Sequence, residues 1–423
     1  MARQPKTPST KASGKTPPKG APKSKTSRSQ PVPKGIPVVG LGASAGGLQA
    51  FTQFFQAMPD RTGMAFVVIH HVDPDHESLM ADLLAKHTRM AVALVEDDTP
   101  IAADHVYVIP PNRFLGIEKA VLRLSEPAER RGMRLPIDFF LRSLAEDQQQ
   151  NAVAVILSGT GGDGTAGIRS IKETGGMVLV QDPTEAAHDG MPRSAIATGS
   201  VDHILPVVKM PAVIRDYTAH PFIARGATTK VLGENARGAL PDIINLLKAH
   251  TPINFEYYKE GTLLRRIERR MALRHLENAA DYLALLRDQP DEAENLCADL
   301  LICVTSFFRD PDAFAYLADQ VIRDLVVNCA SGQPIRIWVP ACATGEEAYS
   351  LAMLVIEKIE ALRKDVKLQV FASDVDENAL SVARAGVYPD AIAGDISPER
   401  LRRFFDKEDH SYRVKPELRD ALV

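Results

Sequence analysis

Three residues far apart in the chain, Ser44, His71 and Asp163, have the types that nucleophilic acyl chemistry requires. A serine hydroxyl attacks poorly until an imidazole takes its proton, and the imidazole needs a carboxylate to orient it and balance its charge. Each of the three follows a short apolar run. Residues 36–41 lead into GASAGG and Ser44, residues 65–69 into His70-His71, and residues 153–157 into SGTGGDGTAG and Asp163. In an open parallel α/β sheet such strand ends share one rim, and ligands bind there. The residue types leave alternatives. A glycine-flanked serine also suits a helix cap, His70 rather than His71 could point inward, and Asp163 could serve only as a turn or N-cap residue. Gly40, Gly42 and Ala45 also satisfy the G-x-G-x-x-[GA] turn of dinucleotide-binding folds, but the next strand ends in His70-His71 and not in the acid that ribose would need.

The elements that must position these residues follow from apolar periodicity. Strands are expected at 38–41, 65–69, 91–95, 105–109, 153–157 and 177–180, with helices near 48–57, 79–86, 136–149 and 164–173. Strand and helix alternating in this way predict an α/β fold with a doubly wound parallel sheet. The pattern thins into a polar linker at 218–237, becomes helical over 238–330, and returns to strand, turn and helix from 331. In that last stretch a strand at 335–339 precedes a Thr-Gly turn and a helix at 347–363, and a second strand at 368–372 ends in Ser373-Asp374. An acid at that position suits ribose hydroxyls.

Composition excludes several function classes. At 423 residues the chain has room for two or three domains, and 45% hydrophobic with 25% charged residues is the balance of a soluble globular protein. No apolar run is long enough to cross a bilayer and no hydrophobic signal opens the chain, so a cytoplasmic location is expected. The four cysteines lack C-x-x-C spacing, which argues against a zinc knuckle, a redox pair or disulfides, and no metal is expected. Residues 1–34 hold nine Lys and Arg and no acid, a composition that reads as a disordered basic tail: either a solvating leader or a segment that touches nucleic acid or anionic lipid, with no specific nucleic-acid partner expected.

Taken together, GASAGG, HHVDP, VYVIPPNRFL, PIDFFLRSLAE, ILSGTGGDGTAGI and DGMPRSAI resemble the catalytic domain of the chemotaxis protein-glutamate methylesterases across 35–217. The resemblance implies a serine hydrolase that cleaves γ-glutamyl methyl esters on chemoreceptors and, in many members, deamidates receptor glutamines. It assigns Ser44 as nucleophile, His71 as general base and Asp163 as orienting acid, with no cofactor. Ala45, His70 and Thr160 depart from the hydroxyl residue, glutamine and methionine usual in the family, which bears on rate and specificity. Residues 1–34 are too short for the receiver domain of the stand-alone esterases, so control by phosphorylation in cis is not expected.

The segments FEYYKEGTLLRRIERRM, VTSFFRD, ACATGEEAYSLA and FASDVDENALSVARAGVY resemble the chemoreceptor glutamate methyltransferases, with a helical domain at 238–330 and a partial donor-binding domain at 331–423. That likeness implies S-adenosylmethionine as cofactor, held by Arg309, Glu346 and Asp374. Leu263, Leu264, Ile267 and Met271 fall on one face of a helix over 260–275, with Arg265, Arg266, Arg269 and Arg270 largely on the other. The arginine stripe is either a solvated face or, by the resemblance, the face presented to an acidic receptor. Because the later strands of such a domain are missing, an incomplete Rossmann-like sheet and weak methyl transfer are expected. The alternative function is a receptor-docking adaptor that binds S-adenosylmethionine without turnover.

Overall fold

The computed structural model describes residues 35–71, 79–126, 135–224, 230–251, 253–301, 305–409 and 411–423. The tail expected at 1–34 lies outside them. The first domain runs β1 (Val38–Ala43), α1 (Gly47–Ala57), β2 (Ala65–His70), α2 (Met80–Leu84), β3 (Ala91–Leu94), β4 (Thr99–Pro100), β5 (His105–Val108), β6 (Phe114–Glu118), β7 (Val121–Ser125), α3 (Pro136–Gln148), β8 (Ala152–Ile156), α4 (Thr165–Glu173), β9 (Met177–Gln181), α5 (Gly190–Ala197), β10 (His203–Leu205) and α6 (Met210–Ala219). Seven strands form one sheet in the order β10-β9-β8-β1-β2-β5-β3, parallel throughout. β1, β8 and β9 are buried along their whole length, which is why they read as unbroken apolar runs. The chain winds outward from β1 through β2 and then restarts on its other side with β8. The topological switch point, where doubly wound folds bind ligands, is therefore the rim around β1.

Helices cover both faces. On one, Phe51, Phe54 and Phe55 of α1 pack over Val39, Leu41, Phe66 and Val68. On the other, Ile137, Phe140, Leu141 and Leu144 of α3 meet Val38, Val67, Ile69 and Ile156. Gly40 and Gly42 point toward α3. A Cβ on Gly42 would lie 2.6 Å from Ile137 Cγ2, and one on Gly40 3.0 Å from Leu141 Cδ2. These glycines sit inside β1 and let a helix settle close on it, a different use from the phosphate-cradling turn their spacing also matched. Sequence periodicity missed a small antiparallel sheet of order β4-β7-β6.

The middle of the chain is helical: α7 (Pro221–Ala224), α8 (Lys230–His250), α9 (Glu260–Leu273), α10 (Ala279–Asp288) and α11 (Pro290–Leu300). The expected linker at 218–237 is corrected in part, because α6 reaches Ala219 and α8 starts at Lys230. Ile243, Leu247, Leu263, Ile267, Met271, Tyr282 and Leu296 form the core of this domain.

A third core begins at Phe307 and takes in Val326, Ile335, Val339, Ala352, Met353 and Val370. Its elements are α12 (Pro311–Tyr316), α13 (Arg323–Asn328), β11 (Ile335–Pro340), α14 (Glu346–Ala361), β12 (Leu368–Ser373) and α15 (Glu377–Ala385). The helices after residue 305 therefore pack here and not with α8–α11, where the sequence reading had put everything up to 330. β11 and β12 pair in parallel, and the last residues add a short third rung, with Val370 N–H donating to Ala421 O at 2.7 Å and Val423 N–H to Val370 O at 2.8 Å. Trp338, Phe371 and Val375 are exposed beside this sheet. A small antiparallel sheet of β13 (Val387–Pro389), β14 (Phe405–Glu408) and β15 (Ser411–Val414) follows, a sheet that the sequence reading did not expect.

Candidate active site

Ser44 leaves the end of β1 in a turn clamped by the loop that follows β8. Its N–H donates to Ser158 O at 3.0 Å, and Ser158 Oγ donates to Ala45 O at 2.8 Å while accepting His188 N–H at 3.0 Å. Gly46 has φ 77°, and a Cβ there would stand 2.7 Å from Ser158 Oγ, so both backbone conformation and space call for glycine. Ser158 and the backbone of His188 are parts of the site that the sequence reading passed over. A serine just past a buried strand and directly before Gly159 was the available signal.

His71 closes the distance between the other two residues. Its Nδ1 lies 3.2 Å from Ser44 Oγ and its Nε2 2.9 Å from Asp163 Oδ2. Asp163 is 3% exposed and also accepts the N–H groups of Ile137 at 3.0 Å and Asp138 at 2.9 Å. Those amides belong to the first turn of α3, which has no carbonyls of its own to offer them, and a helix N-terminus favours negative charge. The carboxylate is thus fixed by three donors. With Nε2–H donating to Asp163, the Nδ1 lone pair of His71 faces the serine hydroxyl. The structure brings Ser44, His71 and Asp163 together across β1, β2 and β8.

Two neighbours tune this arrangement. His70 makes no hydrogen bond to Ser44 among the described residues. Burial, and secondarily the adjacent His71, lowers its pKa to about 4, so it stays neutral at ordinary pH. Asp138, which the sequence reading did not single out, is 3% exposed; one oxygen accepts Gly167 N–H at 2.7 Å and the other has no partner. Burial, with Asp163 beside it, raises its pKa to about 8. Burial beside a second carboxylate therefore favours the neutral form of Asp138.

The second constellation converges less completely. Arg309 and Glu346 line one cavity of about 300 Å³. Glu346 is 2% exposed, accepts Thr344 Oγ1–H at 2.5 Å and lies 3.7 Å from Arg169 of α4. Burial pushes its carboxyl up, opposed by Arg169 and then Thr344. Asp374 stands apart, directly after β12, and accepts the N–H groups of Ala343 at 2.7 Å and Asp376 at 2.9 Å. Strand, turn and helix, with an acid after each strand, fit a methyl-donor site. Arg169 from another domain is an addition the sequence did not foresee.

The arginine stripe of α9 is the clearest correction. Only Arg265 faces solvent; Arg266, Arg269 and Arg270 are buried. Arg266 donates to Lys172 O and Glu173 O at 2.8 Å each, at the last turn of α4. Arg269 pairs with Asp202 at 2.5 Å and Asp299 at 2.6 Å, and Arg270 pairs with Glu292 at 2.6 Å. Charges on one helix face were read as solvated or receptor-facing because their partners lie roughly twenty to ninety residues away.

Residues 39–214 match the family model of the CheB methylesterase, 239–301 that of the CheR methyltransferase all-alpha domain, and 303–423 that of its SAM binding domain. The chain is 34% identical over 171 residues to a putative protein-glutamate methylesterase/protein-glutamine glutaminase of Leptospira interrogans, covering 40% of this chain and 89% of that protein. The chain belongs to the protein-glutamate methylesterase family. In this chain, the methylesterase domain is followed by methyltransferase domains. An uncharacterized 104.1 kDa protein of Rhodobacter capsulatus is 42% identical over 364 residues, spanning 81% of this chain and 38% of that one. A protein-glutamate methylesterase/protein-glutamine glutaminase of Photorhabdus laumondii is 34% identical over 178 residues, and the chain covers 50% of its length. The crystal structure of the Thermotoga maritima CheB methylesterase catalytic domain aligns with 29% identity and a TM-score of 0.40, over 43% of this chain and 97% of that one.

Proposed function

We propose that residues 35–217 hydrolyse γ-glutamyl methyl esters on chemoreceptors, with Ser44 as nucleophile, His71 as general base and then acid, and Asp163 as the orienting carboxylate. The observation that carries this reading is the unbroken line of hydrogen bonds from Ser44 Oγ through both nitrogens of His71 to Asp163. His71 Nδ1 takes the serine proton as Oγ attacks the ester carbonyl. The resulting imidazolium, balanced by Asp163, returns that proton to the departing methoxide, and methanol leaves a glutamyl-Ser44 ester. Water, deprotonated by His71, then attacks this ester and releases the free carboxylate. A glutamine amide would pass through the same intermediate with ammonia leaving. None of the hydrogen bonds among the described residues uses the N–H of Ala45, Gly46 or Thr160, and these are the donors available to the oxyanion.

In the methyl-transfer half, Arg309 and Glu346 would hold S-adenosylmethionine, with Asp374 holding the turn through Ala343 N–H. Bound there, the donor supplies an activated methyl group. No helix among the described residues is long and apolar enough to cross a membrane, and we assign the chain to the cytoplasm, acting on receptor segments on that side. The test is methanol release from methylated chemoreceptor. Ser44→Ala is expected to lower the rate by about 10⁴-fold or more, and equal rates in the two proteins would remove the esterase reading.

A further inference from the structure

The methylesterase domain touches the other two domains at the places they would need for methyl transfer. Arg169 of α4 is ion-paired with Glu346 at 3.7 Å, and Arg142 of α3 with Asp395 at 3.6 Å, both at the wall of the cavity that holds Arg309. Further along α4, Lys172 pairs with Asp299 of α11 at 3.2 Å, and the carbonyls of Lys172, Glu173 and Gly176 receive the guanidinium groups of Arg266 and Arg269. Asp202, ahead of β10, takes the remaining charge of Arg269. Three arginines that could meet an acidic partner are thus saturated from within the chain. Meanwhile the His71 side chain keeps 34% of its surface exposed.

We propose that the methylesterase domain is an internal latch on the methyl-transfer half: Arg169 occupies Glu346 and the end of α4 occupies the arginine face of α9. Donor binding at Glu346 and docking of an acidic receptor segment on α9 then both require the domains to part, whereas ester hydrolysis proceeds with the latch closed. This rests on the reading of Arg309 and Glu346 as donor contacts. The fraction of open molecules scales the apparent affinity for the donor.

Two variants loosen the latch without touching the esterase residues, Arg169→Ala and Arg266→Ala. The probe is S-adenosylmethionine, measured by calorimetry on the full chain. Both variants are expected to bind it about five- to tenfold more tightly than wild type, and Glu346→Ala should weaken binding. A second readout is thiol labelling of Cys297, a buried residue of α11 at the junction with Arg169 and Lys172, followed peptide by peptide. Its labelling should be slow in the wild type and severalfold faster in both variants. Donor affinity equal in wild type and Arg169→Ala, donor binding absent from both, or Cys297 labelling as fast in the wild type as in the variants would each overturn the latch. Methanol release in the same samples separates this outcome from failure of the esterase itself, since the variants should hydrolyse at the wild-type rate.

Discussion

Gly42→Ala is the substitution that best probes how the fold positions the catalytic carboxylate. The new Cβ would lie 2.6 Å from Ile137 Cγ2 and 3.1 Å from its Cδ1, about 1 Å inside normal carbon contact. Ile137 is fully buried, and its own N–H is one of the donors fixing Asp163, so relief by moving α3 carries the carboxylate away from His71. Overpacking of this kind costs about 1–3 kcal/mol of stability, and a shift of about 1 Å in a catalytic group costs about 100-fold in kcat. KM should change little, because no substrate contact is touched. Ile137→Ala removes the colliding atoms; alone it costs about 2–5 kcal/mol through the cavity it leaves. Combined, the two should lose less than their sum by about 1–2 kcal/mol, with kcat partly restored over Gly42→Ala. Urea unfolding and methanol release on the four proteins of the cycle give both quantities. Strict additivity, or a double variant no faster than Gly42→Ala, would refute the idea that the spacing of α3 on β1 sets the place of Asp163.

Replacing His70 with glutamine tests a pH effect. The buried imidazole protonates near 4 in the folded protein and near 6.5 when unfolded, so the unfolded state binds more protons between those values and stability falls as pH drops through them, by about 3 kcal/mol from this residue. Urea unfolding at pH 7 and 4 should show a smaller acid loss in His70→Gln than in wild type by that amount. Asp138→Asn should act in the opposite window: its raised folded pKa makes wild-type stability decline as pH rises toward and through about 8, and the variant should lack that decline in the same assay. Glu292, fully buried, accepts Arg270, Arg274 and Tyr282, so Glu292→Gln should destabilise the helical domain by about 3–5 kcal/mol, read by hydrogen exchange over α9–α11.

What the sequence made legible was whatever short-range periodicity encodes. β1, β2, β8 and β9 are apolar runs buried on both faces, so their ends, and with them Ser44, His71 and Asp163, could be named from spacing. The β6–β7 hairpin was not legible, because its two-residue turn is Lys119-Ala120, both with positive φ, in place of Asn-Gly. Asp147 of α3 supplies what the local sequence lacks by accepting the N–H groups of both turn residues. The α9 arginines failed for the same reason. Amphipathic spacing told which residues share a face, but Asp202, Lys172 and Gly176, which cover that face, belong to a different domain. Asp138 was hidden because its unusual proton affinity comes from burial against Asp163, which no local pattern records.

The most direct test of the account is covalent trapping with a fluorophosphonate, which reacts with serines made nucleophilic by a neighbouring base, followed by peptide mapping. The account predicts a single rapid adduct on Ser44, lost in His71→Ala and formed markedly more slowly in Asp163→Asn. An adduct on another serine, or labelling of Ser44 at the same rate without His71, would contradict it.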